Sequence, residues 1–134
     1  MVIDTNVYSA LDPGNEVAIA ALKLAEQLYV PIVVVAELRF GFKNGSNLQQ
    51  NEAKLVKFLS QSFVETLYVT DKTTEIYAEL ALHCRKSGRA LSQNDLWIAA
   101  LALENELPFV SFDNDFAVLE QYFGEKLTVL QPAA

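Results

Sequence analysis

Four short motifs place acids where chemistry could follow: Asp4 in VIDTN, Glu37 in VVVAEL, Asp95 in LSQNDLWIAA, and Asp113 with Asp115 in FVSFDNDF. Each is expected where an apolar strand gives way to a helix. Other acids, such as Glu16, Glu26, Glu52, Glu75 and Glu79, read as exposed helix-face or helix-end residues. If the four motifs meet in space, repulsion between them is substantial. Two carboxylates ~4 Å apart repel by about 4 kcal/mol at an effective dielectric near ~20, so protons or a cation must compensate. Oxygen donors with no Cys or His beside them select Mg²⁺ or Mn²⁺ over zinc. Such an ion activates a water and neutralises phosphate charge during in-line attack, so hydrolysis of a phosphodiester is the expected chemistry.

Taken singly, every acid also has a structural use. Asp4 could cap the helix that follows it, and Glu37 could favour the start of a helix beginning near Ala36 through the macrodipole. Ser92 and Asp95 fit a capping-box pattern. Of Asp113 and Asp115, one is expected to cap a helix and the other to face metal, with Asp113 nearer the strand end. Taken together, Asp4, Glu37, Asp95 and Asp113 are the expected catalytic and metal-binding set. Asn6 and Ser111 are expected to orient carboxylates or waters around it. Arg85, Lys86 and Arg89 form the densest basic cluster, which could track a phosphate backbone or simply be solvated cations at a helix C-terminus. Arg39 and Lys43 are weaker candidates.

The elements that must position these residues alternate between strand and helix. Met1–Asp4 reads as a buried strand and Thr5–Leu11 as the start of a helix, with a turn at Asp12, Pro13 and Gly14. Asn15 is expected to cap a helix running through Tyr29. The β-branched run Ile32–Val35 predicts a second strand, and Glu37–Phe42 a helix. Further helices are predicted over Leu48–Ser60, over Lys72–Lys86 with Asp71 as cap, over Ser92–Glu106 and over Asp115–Tyr122. Strands are predicted at Val64–Val69, Phe109–Ser111 and Leu127–Leu130. This alternation implies one domain over residues 1–134, α/β in class, with a central parallel sheet between two helical layers. In such sheets the working crevice lies beyond the carboxyl ends of the strands.

Composition agrees with a single globular domain: 134 residues, 51% hydrophobic and 20% charged. The net charge of −7 argues against a broad basic face coating nucleic acid, but not against a nuclease whose metals restore positive charge locally. Cys84 is the only cysteine and so forms no internal disulfide, and His83 is the only histidine, expected at a helix surface or boundary. The apolar start is cut at once by Asp4, which does not fit a secretory leader. The longest apolar run, Leu28–Ala36, is about half a membrane span. A cytoplasmic protein with no membrane association is expected.

As an ordered set, VIDTNV, VVVAELRFG, NDLWIAALALENELPFVSFDNDF and the closing VL resemble the PIN-domain nucleases, specifically the VapC-type ribonuclease toxins of prokaryotic toxin–antitoxin pairs. The resemblance covers nearly the whole chain. It implies a PIN-like three-layer α/β/α fold and Mg²⁺- or Mn²⁺-dependent cleavage of RNA. It carries the acidic positions onto Asp4, Glu37, Asp95 and Asp113, with Asp115 as a fifth. Ser111 matches a Thr or Ser of the family, whereas Phe112 stands at a spot often polar in relatives. A homodimer and a small cognate antitoxin that occludes the acidic cleft are implied as well. Three rivals fit less well or less specifically. A phosphoacceptor signalling domain wants an acid pair beside Asp4 and a Lys beside Ser111, and both are missing. A non-catalytic binding module has no need of a costly acid cluster. A nuclease acting on DNA would share the acids and differ in substrate.

Overall fold

The structure, a computed structural model, describes residues 1–132. In chain order the strands are β1 (Val2–Ile3), β2 (Leu28–Pro31), β3 (Val64–Leu67), β4 (Phe109–Ser111) and β5 (Leu127–Val129). The helices are α1 (Thr5–Leu11), α2 (Glu16–Lys23), α3 (Ile32–Lys43), α4 (Leu48–Leu59), α5 (Asp71–Ser87), α6 (Gln93–Glu104) and the single turn α7 (Glu120–Phe123). Two 3₁₀ segments, Asn114–Leu119 and Gly124–Lys126, flank α7.

The five strands form one sheet in the order β3-β2-β1-β4-β5. Every neighbouring pair is parallel. Chain order and spatial order together make β1 and β4 the place where winding reverses: β1 leads outward through β2 to β3, and β4 outward to β5. Right-handed crossovers then assign α1–α4 to one face and α5, α6 and the 3₁₀ segment to the other. Loops leaving β1 and β4 therefore diverge, and a crevice opens between them at their carboxyl ends. The fold is the expected parallel α/β arrangement.

Both faces are sealed by apolar side chains. Val2, Ile3, Val30, Phe109 and Val110 in the sheet are fully buried, and Val7, Val34, Leu80 and Ile98 pack on them from the helices. Helix α6 is apolar nearly all round, with Leu96 and the run Ile98–Ala102 buried, so it lies deep in the molecule.

Several element boundaries differ from expectation. The helix capped by Asn15 ends at Lys23, and the chain is already in strand β2 at Leu28. The β-branched run Ile32–Val35 is the first turn of α3, so Glu37 lies inside a helix and does not follow a strand directly. A short, uniformly apolar run carries no period that separates a buried strand from a buried helix, and burial of Val34, Val35 and Leu38 decided for helix. Pro31 marks the change, ending β2 and standing at the N-cap of α3. Asp95 likewise follows a loop, so only Asp4 and Asp113 sit at true strand–helix junctions. Helix α5 is capped by Thr70 instead of Asp71, through the Thr70 N–H donated to the Thr73 hydroxyl at 3.0 Å. The segment expected as a helix over Asp115–Tyr122 is 3₁₀ through Leu119 and turns α-helical only at Glu120.

Candidate active site

The register between β1 and β4 pairs Ile3 with Val110, which sets Asp4 beside Ser111 at the strand ends. Asp4 is 4% exposed, an unusual place for a carboxylate. Its two oxygens are both used. Oδ1 accepts the Thr5 N–H at 2.8 Å, so Asp4 caps α1, and Oδ2 accepts the Ser111 hydroxyl at 2.6 Å. Ser111 Oγ in turn accepts the Asp113 N–H at 2.9 Å and an amide hydrogen of Asn6 at 3.3 Å. With two donors pointed at it, the hydroxyl has one direction left for its own proton, toward Asp4. Asn6 Oδ1 completes the frame by accepting the Phe112 N–H at 3.1 Å. The expected orienting roles of Asn6 and Ser111 thus have a structural counterpart in the frame around Asp4.

Glu37 reaches the same place from the second turn of α3. The Thr5 hydroxyl donates to its Oε1 at 2.6 Å, and the Asn94 amide stands 3.4 Å from Oε2. Thr5 and Asn94 are partners that the sequence reading missed. They sit next to Asp4 and Asp95 in the chain, but helical spacing says nothing about a contact reaching across to α3. Asp95 enters in the first turn of α6, where its N–H is accepted by Ser92 Oγ at 3.1 Å. Asp113 caps the 3₁₀ segment by accepting the Asp115 N–H at 2.9 Å and also lines the cleft. Asp113 is thus the cap and, of the two, the one that lines the cleft. Asp115 is exposed and is not among the residues lining the cleft.

Asp4, Glu37, Asp95 and Asp113 line a single open cleft of about 580 Å³ together with Thr5, Asn6, Ser9 and Ala10. Among the described residues, no cationic side chain lines it. Burial, then neighbouring acids, push the Asp95 carboxyl up from 3.8 to about 6; Asp4, Asp113 and Glu37 all contribute repulsion. Burial is also the main reason that the Asp4 carboxyl is raised, against the lowering effect of its Ser111 and Thr5 hydrogen bonds. Asp95 therefore feels the charge of the other three acids, and Asp4 that of Glu37 and Asp113. Among the described residues, no three such side chains already close into a chelate. The acids surround the cleft and do not converge on one point, as like charges tethered by separate donors do. An all-oxygen donor set with excess negative charge fits a hard divalent cation.

Arg85, Lys86 and Arg89 do not line the cleft. They are exposed at the C-terminal end of α5 and in the loop after it, where Gly88 adopts φ 68° and closes the helix. Glu104 at the end of α6 bonds Thr73 near the start of α5, so the two helices are antiparallel. This hairpin brings the basic cluster to the end of α6 that carries Asp95. His83 is half-buried and bonds the Val118 carbonyl at 2.9 Å, a boundary residue as expected. Cys84 is buried and unpaired.

A doubly wound parallel domain with an acid-lined cleft at its reversal point is the class that this geometry defines. The chain belongs to the PIN-domain family, whose profile matches residues 1–121. It is 34% identical to ribonuclease VapC5 of Mycobacterium tuberculosis over 119 residues, 89% of this chain and 87% of that protein. In three dimensions it is similar to a chain of VapBC2 from Rickettsia felis, solved bound to a promoter DNA fragment, with TM-score 0.83, 25% identity, and coverage of 97% of this chain and 98% of that one. A chain of VapBC-5, a toxin–antitoxin system of Mycobacterium tuberculosis, matches with TM-score 0.69 and 30% identity over 97% of this chain and 96% of that one. Among the described residues, no helix is long and apolar enough to cross a membrane.

Proposed function

We propose that this chain is a VapC-type ribonuclease toxin, one cytoplasmic nuclease domain whose acid cleft hydrolyses RNA with Mg²⁺ or Mn²⁺. The observation that carries the proposal is the meeting of Asp4, Glu37, Asp95 and Asp113 in one cleft without a cationic neighbour. Family membership and the resemblance to VapC ribonucleases support the same reading. Asp4, Asp95, Asp113 and Glu37 would hold the metal, with Asp115 at most an outer contributor from its exposed position. When bound, the metal supplies charge neutralisation at the phosphate and lowers the pKa of water. The chain's own residues do the rest. Ser111 and the Thr5 N–H hold Asp4 in one orientation, and Thr5 and Asn94 hold Glu37. Arg85, Lys86 and Arg89, at the Asp95 end of α6, would guide the RNA backbone.

A small antitoxin is the proposed protein partner, since the structural relatives were solved as VapBC complexes. A homodimer is proposed from family resemblance. Manganese-dependent cleavage of single-stranded RNA by the purified chain, absent in Asp95→Asn, tests the enzymatic reading. Growth arrest on expression, relieved by co-expressing the adjacent upstream open reading frame, tests the toxin–antitoxin reading. Cleavage of DNA in preference to RNA would redirect the assignment to a deoxyribonuclease.

A further inference from the structure

A second cavity adjoins the acid cleft. It has a volume of about 340 Å³, and Ser9 lines both spaces. Three helices build it with matched faces. From α1 come Tyr8 and, one turn on, Leu11, with its C-cap Asp12; from α3 come Leu38 and Phe42; from α4 come Asn51, Lys54 and Phe58. These spacings of three and four residues keep each contribution on one helical face. Tyr8 meets Phe58 edge to face, with ring centroids 5.1 Å apart. The cavity is therefore aromatic, with an amide and an ion pair added. Its volume is at the small end for ligand pockets, which run from about 300 to 1,000 Å³.

We infer that this cavity receives one unstacked base of a single-stranded RNA whose phosphate lies in the acid cleft. The inference rests on the ribonuclease reading and deepens it by naming a base-binding subsite. Four observations carry it. Tyr8 follows Asp4 by one turn of α1, about 6 Å along the helix axis, so a base next to the cleaved phosphate is within reach. Aromatic walls suit base stacking, the dominant mode of recognition for splayed single-stranded RNA. Asn51 offers both a donor and an acceptor to a base edge. Lys54 stands at the cavity and pairs with Asp12 at 3.1 Å, with 57% and 63% of the two side chains exposed. An ion pair so exposed is weak, so Lys54 can turn to a phosphate oxygen and supply the cation that the acid cleft lacks.

The test uses the full chain and a short oligoribonucleotide in which one position at a time is abasic. Cleavage in Mn²⁺ is measured for each substrate. The expected result is a single position, next to the cleavage site, where loss of the base raises KM roughly 5- to 140-fold, the range of base–aromatic stacking. Asn51→Trp, which fills the cavity from a partly exposed helix position, should abolish that sensitivity and raise KM for the intact substrate. It should leave Mn²⁺ binding by calorimetry and the thermal midpoint unchanged. Cleavage that is equally tolerant of a missing base at every position overturns the base-pocket inference and leaves the nuclease standing. Failure of wild type to cleave or bind any oligoribonucleotide overturns both. If Asn51→Trp spares RNA cleavage and instead releases the protein from inhibition by its antitoxin, the cavity belongs to a protein side chain and the inference is wrong.

Discussion

Helix α6 carries an acid at each end, and the two ends are built on opposite principles. At its C-terminal end Glu104 sits against the start of α5, where Thr73 and Thr70 donate hydroxyls to its two oxygens, the latter at 3.2 Å. No other acid takes part in that cluster. Its charge is met by donors, and the cluster ties two antiparallel helices together. At the N-terminal end Asp95 also has a hydroxyl neighbour, Ser92, yet it faces three further carboxylates and no cation. A hydroxyl beside an acid therefore says little about role. What separates a structural carboxylate from the proposed metal ligand here is the company of other acids in a space open to solvent.

The sharpest way to break this comparison is to neutralise one acid at each end. Asp95→Asn should lower Mn²⁺-dependent RNA cleavage by on the order of 100-fold or more, since even groups that merely orient a metal ligand are worth ~10–100-fold. Glu104→Gln should leave the turnover number within the error of a steady-state assay. Equal losses in the two variants would erase the distinction.

A smaller effect is expected one layer out. Ser111→Ala removes the hydroxyl that holds Asp4 Oδ2 and should weaken Mn²⁺ binding by about 10- to 100-fold in calorimetry. It also strips an acceptor from the Asp113 N–H and the Asn6 amide, so Ser111→Thr should restore most of the affinity.

The structural end predicts the reverse pattern. Thr73→Val leaves the buried hydroxyl partners of α5 and Glu104 unmade and should cost about 1–3 kcal/mol of stability in urea unfolding. Metal affinity should stay as in wild type.

The smallest expected effect concerns pH. Asp95 titrates near 6 in the folded chain against 3.8 in its ordinary state. A raised carboxyl favours the folded state fully below the unfolded value and loses that contribution as pH rises through the folded one. Without metal, the protein should therefore be more stable at about pH 5 than at pH 7.5, with the difference shrinking when Asp95 is Asn and the raised Asp4 carboxyl keeping a remainder of the same sign. After discounting for solvent screening at a half-exposed group, the Asn variant should gain roughly 1 kcal/mol at neutral pH. Metal binding should run the other way, weakening as pH drops through 6 because the ligands must be deprotonated. Thermal melts across that range, with and without Mn²⁺, read both trends.

How much of this could be read beforehand differs from element to element. The strands at the N-terminus and at Phe109 stood out because a buried parallel strand is a short apolar run, and each was closed by an acid. The helix over α5 was legible because it is long and amphipathic, though its cap was misassigned by one residue. The stretch from Ala25 to Phe42 was misread because strand β2 and the first turn of α3 are equally apolar, and only packing tells them apart. That error moved Glu37 to the wrong kind of position while leaving its membership of the cleft intact.

Sequence alone determined which residues could carry the chemistry: four acids with no Cys or His beside them, a hydroxyl at Ser111 and an amide at Asn6, distributed through an alternating pattern that implies a parallel sheet. Residue type and local period are properties of the chain itself, so they were available at once. Only the tertiary structure decided that Thr5 and Asn94 hold Glu37, that Asp113 both caps and lines the cleft while Asp115 stays outside, and that an aromatic cavity adjoins the cleft. Those facts depend on side chains from α1, α3, α4 and α6 meeting across the reversal point of the sheet. Contacts between segments so far apart in the chain are set by packing, which leaves no trace in local spacing.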